Sequence, residues 1–139
     1  MWNISKNAFL QGDRENIWKV LSDVSDWHTW NAECEGSSCL VGSVSPGSTG
    51  SFEESLVHRK VQFELGDIIQ DSYFDYLTHL NGATINSYWI LTDTLCGIHV
   101  EQGFVVSGWL SNYYKWVLHD KCQCILETSL ANLQKKTSI

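Results

Sequence analysis

The C-terminal stretch constrains this chain most: from Trp109 onward it contains no Gly and no Pro, so nothing there stops a helix once one starts. Apolar residues recur in it at helical spacing, namely Leu110, Tyr114, Val117, Leu118, Cys122, Ile125, Leu126, Leu130 and Leu133. This predicts one long helix over about residues 109–135 with an apolar stripe along its length. Such a stripe must be covered, and the preceding chain has to supply the surface. Lys121 falls on the same stripe and is expected to run its stem along apolar surface and bring its ammonium to the rim.

What precedes the helix reads as extended. Residues 2–10 suit a strand, and strands follow over 36–41, 51–57, 60–70, 73–80, 84–92 and 98–107, separated by turn residues such as Pro46-Gly47, Asn81-Gly82 and Cys96-Gly97. Between the first two strands, Asp13 caps a helix of two to three turns carrying Ile17, Leu21 and Val24, and Ser25 or Asp26 caps a second short helix carrying Trp27 and Trp30. Local hairpins make the sheet antiparallel. The expected fold is α+β: a curved antiparallel β-sheet wrapped around a long C-terminal helix, with two short helices between the first and second strands, in a single domain over residues 1–139.

Period-two alternation selects the face of each strand that meets the helix. Val61, Phe63 and Leu65 point inward before Gly66 permits a bulge, as do Phe52, Leu56, Phe74, Tyr76, Leu80, Trp89, Leu91, Val100, Phe104 and Val106. Four polar residues share that face: Glu54, Thr78, Ser87 and Gln102. A buried polar group needs a partner, so these are the places where a bound molecule would be met. Asp67, Asp71 and Asp75 fall near strand ends or on the outer face and are expected to face solvent.

The formal net charge of -7 opposes binding to a phosphate backbone, and no basic stripe exists to override it. Nucleic acid is therefore not an expected partner. No apolar run approaches the roughly 18 residues of a membrane span, so no stable membrane insertion is expected, and five irregularly spaced cysteines fit reduced thiols in a cytoplasmic protein. The five His residues are dispersed, and Cys122 and Cys124 would point their sulfurs to different sides of a helix, so neither a metal nor a cofactor is expected. No catalytic constellation can be assembled from spacing alone.

Three features taken together resemble the START-like superfamily, also called the SRPBCC or helix-grip fold, in its polyketide cyclase/dehydrase and lipid transport branch. The first is Asp13 to Trp18 followed by Leu21-Ser22-Asp23 and Trp27-x-x-Trp30-Asn31. The second is Gly47-Ser48-Thr49-Gly50 opening a strand, and the third is His79-Leu80-Asn81-Gly82-Ala83 with the Cys96-Gly97-Ile98 hairpin and the Leu130-x-x-Leu133 helix end. The resemblance covers essentially the whole chain. It implies a hydrophobic tunnel between sheet and helix that holds a lipid, sterol or polyketide-like molecule; it does not imply one chemistry.

The expected function is therefore binding of a small hydrophobic ligand without catalysis. Trp30, Phe63, Tyr76, Trp89, Gln102, Phe104, Tyr114 and Leu118 are the expected lining. Trp30 stands at the rim, while Trp18 and Trp27 pin the short helices to the sheet. The alternative is a cyclase or dehydratase in which Gln102, Glu54 or Tyr76 orients an enol or takes a proton. Tyr113 and Trp116 lie opposite the helix's apolar stripe and form a candidate surface for a homodimer or another protein.

Overall fold

The computed structural model describes residues 1–137. Strand β1 (Trp2–Leu10) leads to helix α1 (Arg14–Ser22), a 3-10 helix (Val24–Thr29), and strands β2 (Cys34–Leu40), β3 (Thr49–Glu54), β4 (Arg59–Ile69), β5 (Tyr73–Leu80), β6 (Ala83–Thr94) and β7 (Gly97–Ser107). Helix α2 (Ser111–Thr137) closes the order. The strands form one antiparallel sheet in the order β1-β7-β6-β5-β4-β3-β2. Consecutive strands pair as hairpins, and β1 returns from the far end of the chain to close onto β7.

Local chemistry accounts for the ends of the elements. Asp13 accepts a hydrogen bond from the Asn16 backbone N–H at 2.6 Å and so caps α1. Gly108, at a φ of +113°, lets the chain leave β7 and turn into α2. The Trp2 indole donates to the Ser111 carbonyl at 2.7 Å and ties β1 to the start of that helix.

The apolar stripe of α2 lies on the sheet, with Cys122, Ile125, Leu126, Leu130 and Leu133 buried. One expected position differs and one is met. Val117 is exposed, on the solvent flank of the stripe, and Lys121 is half-buried, donating to the Leu56 carbonyl at 3.3 Å and to His58 Nε2 at 2.9 Å. Trp116 and Tyr113 stand out in solvent.

Several bounds also move. The strand expected over 51–57 ends at Glu54, where the chain turns into the β3–β4 hairpin and the Ser55 hydroxyl donates to the Ala32 carbonyl. The second short helix stops at Thr29, which leaves Trp30 as its cap rather than a member. Asp75 does not face solvent: it is 6 % exposed on the outer face, where it accepts from the Asp67 N–H at 2.9 Å and the Tyr73 hydroxyl at 2.7 Å. Gly66 makes room for it at the β4 bulge, since a Cβ there would lie 2.0 Å from Asp75 Oδ1.

Candidate functional site

The inner face of β3 to β6 carries an aromatic cluster assembled around Trp27. Its ring lies 4.8 Å from Tyr76, 5.5 Å from Phe63, 5.9 Å from Trp89, 6.0 Å from Phe74 and 6.4 Å from Phe52, centroid to centroid. The 3-10 helix carries Trp27 into this position, and the indole N–H is satisfied by the Leu21 carbonyl at 2.8 Å. The protein's own Trp27 therefore packs on the inner face of the sheet, where the resemblance implies the wall of a tunnel. It does more than pin a helix.

Six of the eight expected lining residues are buried on this side of the sheet: Trp30, Phe63, Tyr76, Trp89, Gln102 and Phe104. Trp30 stacks at 5.9 Å from Trp89 and borders a surface groove of about 280 Å³ with Thr29, Asn132, Lys135 and Lys136. The other two lie away from the rings. Tyr114 is half-buried at the start of α2 with its hydroxyl donating to the Asn81 carbonyl at 2.8 Å, and Leu118 packs half-buried against the core.

Glu33 is the residue that alternation does not find, because it precedes β2 in a turn. Asn31 Oδ1 accepts from the Glu33 N–H at 3.1 Å, the Asn31 carbonyl accepts from the Cys34 N–H at 2.9 Å, and the Ser55 N–H donates to the Glu33 carbonyl at 2.8 Å. These bonds aim the Glu33 side chain under the sheet.

Glu33 and Glu54 are both fully buried. The Tyr76 hydroxyl donates to Glu33 Oε1, and the Ser87 hydroxyl donates to the same carboxylate at 3.2 Å. Glu54 Oε1 accepts from the Leu56 N–H at 2.9 Å. Burial pushes both carboxyls upward from the ordinary value of 4.5; for Glu33 the hydrogen bonds from Glu54, Tyr76 and Ser87 oppose the rise, whereas for Glu54 the neighbouring Glu33 adds to it. Both are thus harder to ionise than a free carboxyl, Glu54 the more so. The Tyr76 phenol is raised by burial and then by Glu33. Cys122 on α2 is pushed up to about 12 by burial and then by the same two carboxylates, and the chain around them is tied to that helix where the Ala32 N–H donates to Ser129 Oγ at 2.8 Å and Lys121 donates to the Leu56 carbonyl at 3.3 Å.

Seven buried side-chain polar atoms have no hydrogen-bond partner among the described residues: Trp30 Nε1, Asn31 Nδ2, Glu54 Oε2, Thr78 Oγ1, Trp89 Nε1 and both amide atoms of Gln102. Gln102 faces Trp89 across β6 and β7, one inward position along from Ser87, which faces Phe104. The expected inward placement of Glu54, Thr78, Ser87 and Gln102 is therefore met. Among the described residues, no group of three or more His, Cys, Asp or Glu side chains is placed to hold a metal ion. Nor is any helix long and apolar enough to cross a membrane.

No family model and no curated protein matches the sequence. Solved structures do match it. A START superfamily protein from Mycobacterium smegmatis superposes with a TM-score of 0.74 at 10% identity, over 97% of this chain and 96% of that one. A hypothetical protein from Helicobacter pylori gives 0.79 at 12% identity over 99% and 88%. The di-domain ARO/CYC StfQ from the steffimycin biosynthetic pathway gives 0.71 at 9% identity over 99% of this chain and 52% of that one. The chain accordingly has the START-like helix-grip fold. At these identities the likeness is one of fold, and the site must be argued from its own residues.

Proposed function

We propose that this protein binds a small, largely apolar molecule of lipid, sterol or polyketide-like character between the sheet and α2, without changing it chemically. The observation that carries this reading is Gln102, which is 1 % exposed with neither amide atom partnered among the described residues. An orphaned buried donor or acceptor costs about 1–3 kcal/mol, and seven such atoms would rival the whole stability of a domain, about 5–15 kcal/mol. Aromatic walls with a few convergent polar groups are the usual make-up of a small-molecule site. The groove bordered by Trp30 is the approach in this reading, since Trp30 lies between it and Trp89 of the cluster.

Native mass spectrometry of the gently purified protein tests the reading. A bound mass that disappears on organic extraction supports it. If the protein is bare and the neutral dye Nile red gains no fluorescence with it, interior binding is wrong.

A second reading, cyclase or dehydratase chemistry, is favoured by one specific observation: Glu33, Glu54 and Tyr76 form a buried acid, base and hydroxyl donor in contact. The likeness to an ARO/CYC protein lends it a precedent in this fold. It predicts that Glu33→Gln and Glu54→Gln each lower turnover of a poly-β-ketone substrate by about 10²-fold or more. Unchanged turnover in both variants removes it.

A further inference from the structure

Four backbone N–H groups gather about the two buried carboxyls at one corner of the sheet. The Glu33 N–H donates to Asn31 Oδ1 at 3.1 Å, the Cys34 N–H to the Asn31 carbonyl at 2.9 Å, the Ser55 N–H to the Glu33 carbonyl at 2.8 Å and the Leu56 N–H to Glu54 Oε1 at 2.9 Å. These bonds join the turn before β2 to the end of β3. The Glu33 side chain then continues inward to the Tyr76 and Ser87 hydroxyls on β5 and β6, which ties the corner to the middle of the sheet.

That tie needs a proton. Glu33 and Glu54 hydrogen-bond to each other, and ionised carboxylates only accept, so one of the two has to donate. Both are fully buried, and among the described residues no ion pair reaches either. Lys121 is held by the Leu56 carbonyl and His58 instead. A second negative charge at this corner would therefore face the first without a cation to offset it.

We infer that Glu33 and Glu54 form a proton-dependent latch: with a proton between them the turn at residues 31–34 and the end of β3 are held to the middle of the sheet, and when it leaves the two carboxylates repel and this corner opens. The titratable and charged groups facing the pair are Tyr76 from β5, Cys34 and Glu35 from β2, and Cys122 and Lys121 from α2, with His58 of the turn before β4 between Glu35 and Lys121. Burial pushes the phenol and both thiols upward, so they keep their protons while the pair ionises. The closed corner, where burial raises both carboxyls, binds the proton more tightly than the open one. Opening is thus favoured as pH rises, by up to tenfold per pH unit until the closed pair itself ionises.

Amide hydrogen exchange of the whole chain, followed by NMR from pH 5 to 9 and corrected for the intrinsic pH dependence of exchange, tests this. Protection of the Glu33, Cys34, Ser55 and Leu56 amides is expected to fall by at least about tenfold across the range, while the amides of β6 and β7 keep theirs. The Glu33→Gln, Glu54→Gln double variant is expected to lose the response. A flat profile at the four amides of the wild type overturns the latch whether or not the variant folds, and so does a fall shared equally by β6 and β7, which is a loosening of the whole domain. The inference also fails if the fall survives in the double variant, or if it vanishes in His58→Gln, since histidine is the side chain that ordinarily titrates in this range.

Discussion

Two tyrosines on neighbouring stretches of β5 make the same hydrogen bond in opposite settings. Tyr73 donates to Asp75 on the outer face of the sheet, and Tyr76 donates to Glu33 on the inner one. Both acids are buried. Asp75 also receives the Asp67 N–H, so each of its oxygens has a donor, and its role is to close the bulge at Gly66. The inner site holds two carboxyls instead of one, and among the described residues no ion pair reaches either, while the Gln102 amide nearby on the inner face has no partner. A satisfied buried acid is architecture, whereas a buried amide with spare capacity is where a ligand can be recognised.

The largest test of that contrast removes the frame of the inner site. Trp27→Ala takes away a fully buried indole that touches five rings and is expected to cost about 3–5 kcal/mol in urea unfolding. A loss below 1 kcal/mol would mean that the aromatic cluster is not what holds the grip together.

Next comes the outer acid. Asp75→Ala strands the Asp67 N–H and the Tyr73 hydroxyl, so the same unfolding assay is expected to show a loss of about 1–3 kcal/mol. Ligand affinity should stay as it is. A change in Nile red binding in this variant would blur the distinction between the two faces.

The inner acid should behave differently, through pH. Because Glu54 is raised in the folded state, the fold binds its proton more tightly than the unfolded chain does. The associated stability is fully present below the unfolded value of about 4.3 and is lost as pH rises through the folded value. The wild type is therefore expected to lose stability as pH climbs from the acid side toward neutrality, and Glu54→Gln, which mimics the protonated acid, to lose less of it. Parallel melting-temperature profiles for the two proteins from pH 4 to 8 would count against a shared proton.

The smallest effect is expected far from either acid. Trp116→Ala removes an indole that is 84 % exposed, and stability should change by no more than about 0.5 kcal/mol. Light scattering of the wild type and this variant checks the proposed pairing of two copies through Tyr113 and Trp116: a dimer that becomes a monomer supports it, and a monomer in both cases ends it.

Much of this architecture was legible before any coordinates. Stretch 73–80 and the first strand are found where alternation and turn residues put them, and the absence of Gly and Pro after Gly108 foretold α2 to within two residues at each end. Period two also placed Glu54, Thr78, Ser87 and Gln102 on the inner face, because a strand sends alternate side chains to opposite sides wherever it lies. Asp75 was misjudged by the same rule: alternation correctly gave the outer face but could not tell that a bulge and Tyr73 would bury it there.

The sequence by itself determined the order of elements and the side of each strand, since helical and extended periods are local properties of the chain. Only the tertiary structure decided that Trp27 packs on five rings of the inner face and that Glu33 joins Glu54, Tyr76 and Ser87. Those contacts link residues far apart in the chain, and Glu33 reaches them from a turn, where no period governs the direction of a side chain. The candidate site is thus set by how a turn, two strands of the sheet and the end of β3 converge, which the pattern of any one segment does not contain.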